Sequence, residues 1–213
     1  MQQNPDALSQ IETVGTKSTA IAAPFQGEIV RKSLHLLIAL VPLFAAVNLT
    51  GTLVLLALGT VFYAFAEASR RQGNPVLVVS DLTLIASRAK DMGGFVLGPV
   101  TLGLGAMLSL ILYPEPSASI AIFALAFGDG FASLFGTMVK GPKIPFLRGK
   151  TFAGSFACLV AVFFITFGLT RQPLPSLAVA AAATILEGIP AGNFDNIIIP
   201  FGVGMLATKL FAF

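Results

Sequence analysis

From residue 28 onward the chain alternates long apolar runs with short polar breaks. The runs are Leu34–Val47, Thr52–Ala66, Met92–Tyr113, Ser117–Val139, Phe152–Thr170, Leu174–Leu186 and Ile197–Phe213. Several approach the ~20 residues that carry a helix across a bilayer core. The first, second and sixth are shorter, and flanking cations such as Arg31, Lys32, Arg70 and Arg71 can complete them by snorkelling. None alternates apolar and polar residues with period two, so the runs predict helices and not the strands of a membrane barrel. The pattern predicts an all-α, polytopic membrane helix bundle of about seven transmembrane helices. Six spans, or a re-entrant pair near residues 174–200, is the competing count. Between the second and third runs, Pro75–Ala89 mixes Val76, Leu77, Val79, Leu82, Leu84 and Ile85 with Ser80, Asp81, Ser87 and Arg88. It is too interrupted to span and predicts an amphipathic helix lying in the interface. Residues 1–27 are polar and turn-rich and lack the apolar core of a signal peptide. They predict a flexible tail ahead of a single membrane domain, 28–213.

Composition fixes the solvent. Of 213 residues, 55% are hydrophobic and only 11% charged, against roughly 25% charged in a soluble domain. So little polar surface excludes a cytosolic enzyme, a secreted disulfide scaffold and a disordered chain, and leaves lipid as the medium around most of the molecule. The net charge is only +3, with cations spread along the chain, which argues against nucleic-acid binding. Cys158 stands alone inside an apolar run, so neither an intrachain disulfide nor a thiolate metal site is available.

The cations also give an orientation. Lys17, Arg31, Lys32, Arg70, Arg71, Arg88, Lys90, Lys140, Lys143, Arg148 and Lys150 fall on one side if every run spans, and only Arg171 and Lys209 fall on the other. The positive-inside rule then puts the N-terminus and the basic loops in the cytoplasm. A plasma (inner) membrane is the default compartment, because the tail lacks the Arg- and Ser-rich character of a transit peptide.

Polar residues that interrupt the runs are the candidates for chemistry, since ionisable groups inside spans are costly. Asp129 sits in the fourth run between Gly128 and Gly130, and Ser133 lies four residues on, on the same helix face. A buried carboxylate that merely pairs with a neighbouring helix is the plainer reading. The loop after it changes the balance. Lys140, Lys143, Arg148 and Lys150 are followed by Thr151, Gly154 and Ser155 at the start of a helix. Cations, hydroxyls and free N–H groups at a helix N-terminus suit a phosphate chain. Lys140 and Lys143 are equally well explained as topological charges.

Glu187, Asp195 and Asn196 lie between the last two runs, on the same predicted side. Asp129, Glu187 and Asp195 could therefore meet, and carboxylate with phosphate oxygens is how Mg²⁺ is held. Taken singly, Glu187 or Asp195 could equally cap a helix, and Asn196 could be an amide ligand or a turn former. At the front, Arg31, Lys32 and His35 share one helix face, and the two cations favour a neutral imidazole. Such an imidazole could act as base toward an alcohol or simply sit at the interface. Glu67 with Arg70 and Arg71 reads equally as an intrahelical ion pair or as part of a site.

Four motifs occur in order: Arg-Lys-x-x-His at 31–35, Gly-Asp-Gly-x-Ala-Ser-x-x-Gly at 128–136, Lys-Thr-x-x-Gly-Ser at 150–155, and Glu187 followed by Asp195-Asn196. Together they resemble the membrane lipid kinases that include dolichol kinase, phytol kinase and CTP-dependent diacylglycerol kinase, relatives of the phosphatidate cytidylyltransferases. The resemblance covers roughly residues 28–207. It implies transfer of the terminal phosphoryl group of a nucleotide, CTP in the characterised relatives, to a lipid alcohol. It also implies a metal role for Asp129 and phosphate-loop roles for Lys150, Thr151 and Ser155, with Gly154 among them. Glu187 and Asp195 match late acidic positions. Ala153 stands where the dolichol and diacylglycerol branches often carry Glu, which is closer to the phytol branch.

The expected site is therefore Asp129, Lys150, Arg148 and His35 at the chemistry. Lys150, Thr151, Gly154, Ser155, Arg31, Lys32 and Ser133 would hold the nucleotide, and Asp129, Glu187 and Asp195 a divalent cation such as Mg²⁺. The expected partners are a nucleotide, CTP in the first place, a lipid alcohol such as a polyprenol, phytol or diacylglycerol, and membrane lipids. The oligomeric state is left open. A CDP-lipid-forming cytidylyltransferase is the nearest alternative. A small transporter built around Asp129 would need inverted repeats and a polar lining on several spans, which the sequence does not display.

Overall fold

A computed structural model describes residues 27–87, 94–139, 141–145, 147 and 149–211. Among these residues the protein is all-helical, with eight helices: α1 Gly27–Val47, α2 Leu49–Arg71, α3 Val79–Ala86, α4 Gly98–Leu112, α5 Ser117–Met138, α6 Phe152–Thr170, α7 Pro173–Gly188 and α8 Asp195–Leu210. The expected tail, Lys140, Arg148, Arg88 and Lys90 lie outside the described residues.

Seven of the helices coincide with the seven apolar runs, and α3 occupies the interrupted segment. Four of them, α1, α2, α5 and α6, are long and apolar enough to cross a membrane. The apolar α4 and α7 have 15 and 16 residues. At 1.5 Å per residue each covers about 23 Å, short of the ~30 Å hydrocarbon core. Two helices also reach further back into polar sequence than their apolar runs do. Helix α1 begins at Gly27, seven residues before Leu34, and so carries Arg31, Lys32 and His35 on its first turns. Helix α2 begins at Leu49, capped by the Asn48 side chain, which accepts from Gly51 N–H at 2.8 Å.

The packing is inverted relative to a soluble protein. Large apolar side chains such as Leu43, Phe44, Leu55, Leu58 and Phe65 on α1 and α2 point outward. Short α3 buries Ser80 and Thr83 and turns Leu82, Leu84 and Ile85 out. An apolar exterior over polar interior groups is what a lipid solvent selects.

Helix α5 is the most enclosed of the four long helices. It packs against α6, while α8 packs against α4, α5 and α7. Small residues let these backbones approach, the usual device where no hydrophobic effect drives helices together. A Cβ on Gly154 of α6 would lie 2.5 Å from the Ala132 carbonyl oxygen of α5, and one on Gly105 of α4 would lie 2.0 Å from the Asn196 carbonyl oxygen of α8.

Within α5, residues Ala124–Asp129 form a π-helical turn. The extra residue per turn delivers Asp129 to the inside of the bundle at the point where α5 meets α1 and α6. Such turns recur at functional sites because they reorient one side chain without ending the helix.

The glycine contacts generate a paired test. Gly154→Ala forces α5 and α6 apart, because the obstacle is backbone, and lowers the melting temperature of the detergent-solubilised protein by several degrees. Gly168→Ala on the same helix α6 meets no atom within 4 Å, so it leaves the melting temperature unchanged or slightly raised. Equal effects at both positions would contradict the packing described.

Candidate active site

The site is organised around Asp129, which is buried in α5. Two side chains from α1 converge on its Oδ2: Lys32 Nζ donates at 2.5 Å, and His35 Nδ1 lies 3.1 Å away. The imidazole lies against the carboxylate but is not aligned as a hydrogen bond. Lys32 and His35 are themselves buried. Their spacing of three on a helix puts both on one face, so α1 presents them to Asp129 as a pair. Asp129 Oδ1 has no hydrogen-bond partner among the described residues.

Beside this node, Glu28 pairs with Arg31 and accepts the Ser133 hydroxyl, tying the first turn of α1 to α5. Arg31 and Ser133, expected at the nucleotide, are thus engaged with a residue that sequence reasoning passed over. Glu28 lies just ahead of the Arg-Lys-x-x-His motif and four residues before Lys32, and that helical spacing was the available signal.

Two cavities meet at Asp129. The first, about 440 Å³, is lined by Lys32, Asp129, Ser133, Lys150, Thr151, Ser155, Glu187 and Asp195. Every described residue expected to hold nucleotide or metal borders it except Arg31, and Gly154 lines it through its backbone. The second, about 300 Å³, is walled by Leu34, Tyr63, Leu82, Val96, Pro99 and Leu102, with Arg31 and His35 near the node. Lys32, Asp129, Gly192 and Asp195 belong to both. Asp129 and Lys150 therefore lie at the same end of the bundle, as the positive-inside reading requires.

The loop before α6 is held in shape by its own backbone. Ile144 N–H donates to Lys150 O at 2.8 Å and Phe152 N–H to Pro142 O at 3.3 Å, around a bridge between Lys143 and Thr151. Gly149 turns the chain at φ +84°, a conformation that favours glycine, immediately before Lys150. Thr151 then caps α6, its Oγ1 accepting from Gly154 N–H at 3.1 Å. That hydroxyl is a helix cap and Gly154 a close-packing residue, which leaves Ser155 as the described hydroxyl at the cavity with no protein partner.

Lys150 reaches Glu187, at the end of α7, and pairs with its Oε1. Glu187 Oε2 is buried without a partner among the described residues. Asp195 Oδ1 accepts from the following N–H, of Asn196, at 2.9 Å. Among the described residues, no three His, Cys, Asp or Glu side chains gather closely enough to form a ready-made metal cage. The expected three-carboxylate set is spread along the wall of the polar cavity instead. Mg²⁺ usually takes one or two carboxylates and completes its shell with water and substrate phosphates. The open Oδ1 of Asp129 and the orphaned Oε2 of Glu187 fit that demand.

The wall of the apolar cavity is also clamped. Glu67 is buried, binds Arg70 through both oxygens at 2.7 Å and accepts from Val96 N–H at 3.0 Å, while Tyr63 O–H donates to Val96 O at 3.0 Å. The intrahelical Glu67–Arg70 pair is thus present, and Glu67 also fastens the segment leading into α4 against α2.

No family model matches the chain, and no solved structure does. Curated relatives do match. A protein named probable phytol kinase 2, chloroplastic, from Glycine max is 27% identical over 64% of this chain and 52% of its own length. Probable phytol kinase 1, chloroplastic, from the same species is 29% identical over 71% of this chain and 55% of its own. Phytol kinase 1, chloroplastic, from Arabidopsis thaliana is 26% identical over 54% of this chain and 44% of its own. The chain spans about half the length of these relatives. Their chloroplastic names lend no support to a plasma membrane. By its ordered motifs and by these relatives, the chain is similar to proteins of the phytol and polyprenol kinase type.

Proposed function

We propose that this protein is a membrane lipid kinase that transfers the terminal phosphoryl group of a nucleoside triphosphate, CTP in preference, to a long-chain prenyl alcohol such as phytol. The observation that carries this reading is the sharing of Asp129 and Lys32 by one polar and one apolar cavity. A phosphoryl transfer between a water-soluble donor and an oily acceptor needs such a junction, and the names of the relatives supply the acceptor class.

In this reading the triphosphate occupies the polar cavity. Lys150 and Ser155 receive phosphate oxygens, with Arg148 and Lys143 contributing positive charge from the same loop. Glu187 holds Lys150 in place from below. The alcohol lies in the apolar cavity with its oxygen at the node and its chain leading out past α3 to the bilayer. Seven passes, with the node at the cytoplasmic or equivalent basic face, complete the topology.

Phosphoryl transfer is mainly positioning and charge stabilisation. Lys32 neutralises Asp129 and adds a cation where the two substrates meet. Asp129 and Glu187 are the residues that would hold Mg²⁺, which when bound neutralises the phosphates and draws off developing negative charge. The attacking oxygen forms its bond to phosphorus as the nucleoside diphosphate leaves. The alcohol proton passes to the Asp129–His35 pair at the junction. The enclosure of Lys32, His35 and Asp129, each at most 6% exposed, keeps water from competing with the alcohol.

Purified protein with Mg²⁺ and terminally labelled CTP or ATP is expected to label phytol and to release the diphosphate. Asp129→Asn should lower turnover by at least about 10²-fold, in the range seen when a charge-stabilising group is removed, while the protein still elutes as a folded species. Release of pyrophosphate instead would favour a cytidylyltransferase. Lys150→Met is expected to raise the nucleotide KM roughly tenfold, which corresponds to about 1.4 kcal/mol, with little change in the alcohol KM. An effect on the alcohol KM alone would move Lys150 out of the donor site.

A further inference from the structure

Asn196 stands on the first turn of α8 and is 3% exposed, yet its Oδ1 has no hydrogen-bond partner among the described residues. Its orientation is nevertheless fixed. Nδ2 donates to Gly98 O at 3.1 Å and to Thr101 Oγ1 at 2.9 Å, both on α4. The Gly98 carbonyl can only accept, so the amide nitrogen must be the atom facing α4, and Oδ1 takes the other branch of the amide. Asn196 lines the apolar cavity together with Asp129 and His35. The side chain is therefore a rigid acceptor, strapped in place by its own donors, in a cavity whose walls are otherwise mostly aliphatic. A buried acceptor without a donor is destabilising. Its persistence beside a cavity points to a ligand that brings the donor.

We propose that Asn196 Oδ1 accepts the hydroxyl hydrogen of the acceptor alcohol and so distinguishes the alcohol from its phosphorylated product. The inference rests on the lipid-kinase reading and adds a residue to it. A prenyl alcohol carries one O–H donor at the end of an apolar chain, which matches one acceptor in an apolar cavity. The bond to Asn196 holds the alcohol oxygen at the junction in the bound state; as that oxygen attacks phosphorus the hydrogen leaves Oδ1, which cannot take a proton, and passes to the Asp129–His35 pair. In the product the same oxygen is an ester oxygen. It has no hydrogen to donate, and its lone pairs then face Oδ1, so the site favours the alcohol over what it becomes.

A methyl ether reproduces the donor-less oxygen. The test is competition of phytol and of phytyl methyl ether against tritiated phytol bound to the full-length, detergent-solubilised protein without nucleotide, in the wild type and in Asn196→Ala. One hydrogen bond of ordinary strength corresponds to roughly a 5–10-fold preference of the wild type for the alcohol. In Asn196→Ala the alcohol should weaken by that factor while the ether is unchanged, bringing the ratio near one. If Asn196 were only a strap between α8 and α4, both ligands would weaken together and the ratio would persist, which overturns the proposal. Equal affinities in the wild type overturn it whether or not the variant folds. In either case labelled phosphate transfer to phytol would leave the kinase reading standing. Absence of both phytol binding and transfer would remove that reading and this one together.

Discussion

A carboxylate inside a membrane helix has to be neutralised by the protein, because lipid cannot solvate it. Here that requirement is met by Lys32, which donates to Asp129 Oδ2 across the α1–α5 contact, with His35 Nδ1 packed beside the same oxygen. Much else follows from this contact. It holds the first turns of α1 against the centre of the bundle, assisted by Glu28 and Ser133. It requires α5 to deliver its aspartate inward, which the π-helical turn at Ala124–Asp129 does. It also sets the boundary between the two cavities. Removing one member of such a buried group leaves an uncompensated charge, which costs more than the intact interaction contributes. The node is thus both a structural constraint and the place where chemistry is available.

Charge pairing of the same kind recurs at lower stakes around the site. Lys150 and Glu187 join the loop before α6 to the end of α7, and Glu67 with Arg70 fixes Val96 at the entry to α4. The first pair joins two elements, and the second lies within α2 while its acid holds the Val96 N–H of the next segment, so the cavity walls are set by polar contacts while the outer surface stays apolar. The orphaned oxygens of Glu187 and Asn196 stand out against that pattern. Glu187 is among the residues lining the polar cavity and Asn196 among those lining the apolar cavity.

Much of this was legible in the sequence. The seven apolar runs appear as helices, and Ser117–Val139 and Phe152–Thr170 match α5 and α6 almost residue for residue. Hydropathy speaks to composition, however, and not to length of regular backbone, so among the described residues of the third run only Gly98–Leu112 is helix, while α1 and α2 extend into polar flanks. The gathering of Asp129, Lys150, Glu187 and Asp195 around one cavity follows the expectation drawn from the charge pattern along the runs. Individual roles were less readable. Thr151 has the spacing of a phosphate-loop hydroxyl and of a helix cap alike, and the structure uses it as a cap. The bond from Ser133 to Glu28 and the strapped amide of Asn196 depend on contacts between distant segments, which no local pattern encodes.

The central claim is that the two cavities are two substrate compartments joined at Asp129. Photo-cross-linking with peptide mapping tests it most directly, using a prenyl alcohol with a diazirine near its hydroxyl and an azido-nucleotide on the same preparation. The account predicts alcohol labelling within residues 79–102 and nucleotide labelling within 149–155 and 187–195, each blocked by its own unlabelled substrate. Both probes reacting at one common set of residues, or the alcohol labelling only the outer faces of α1 and α2, would contradict it.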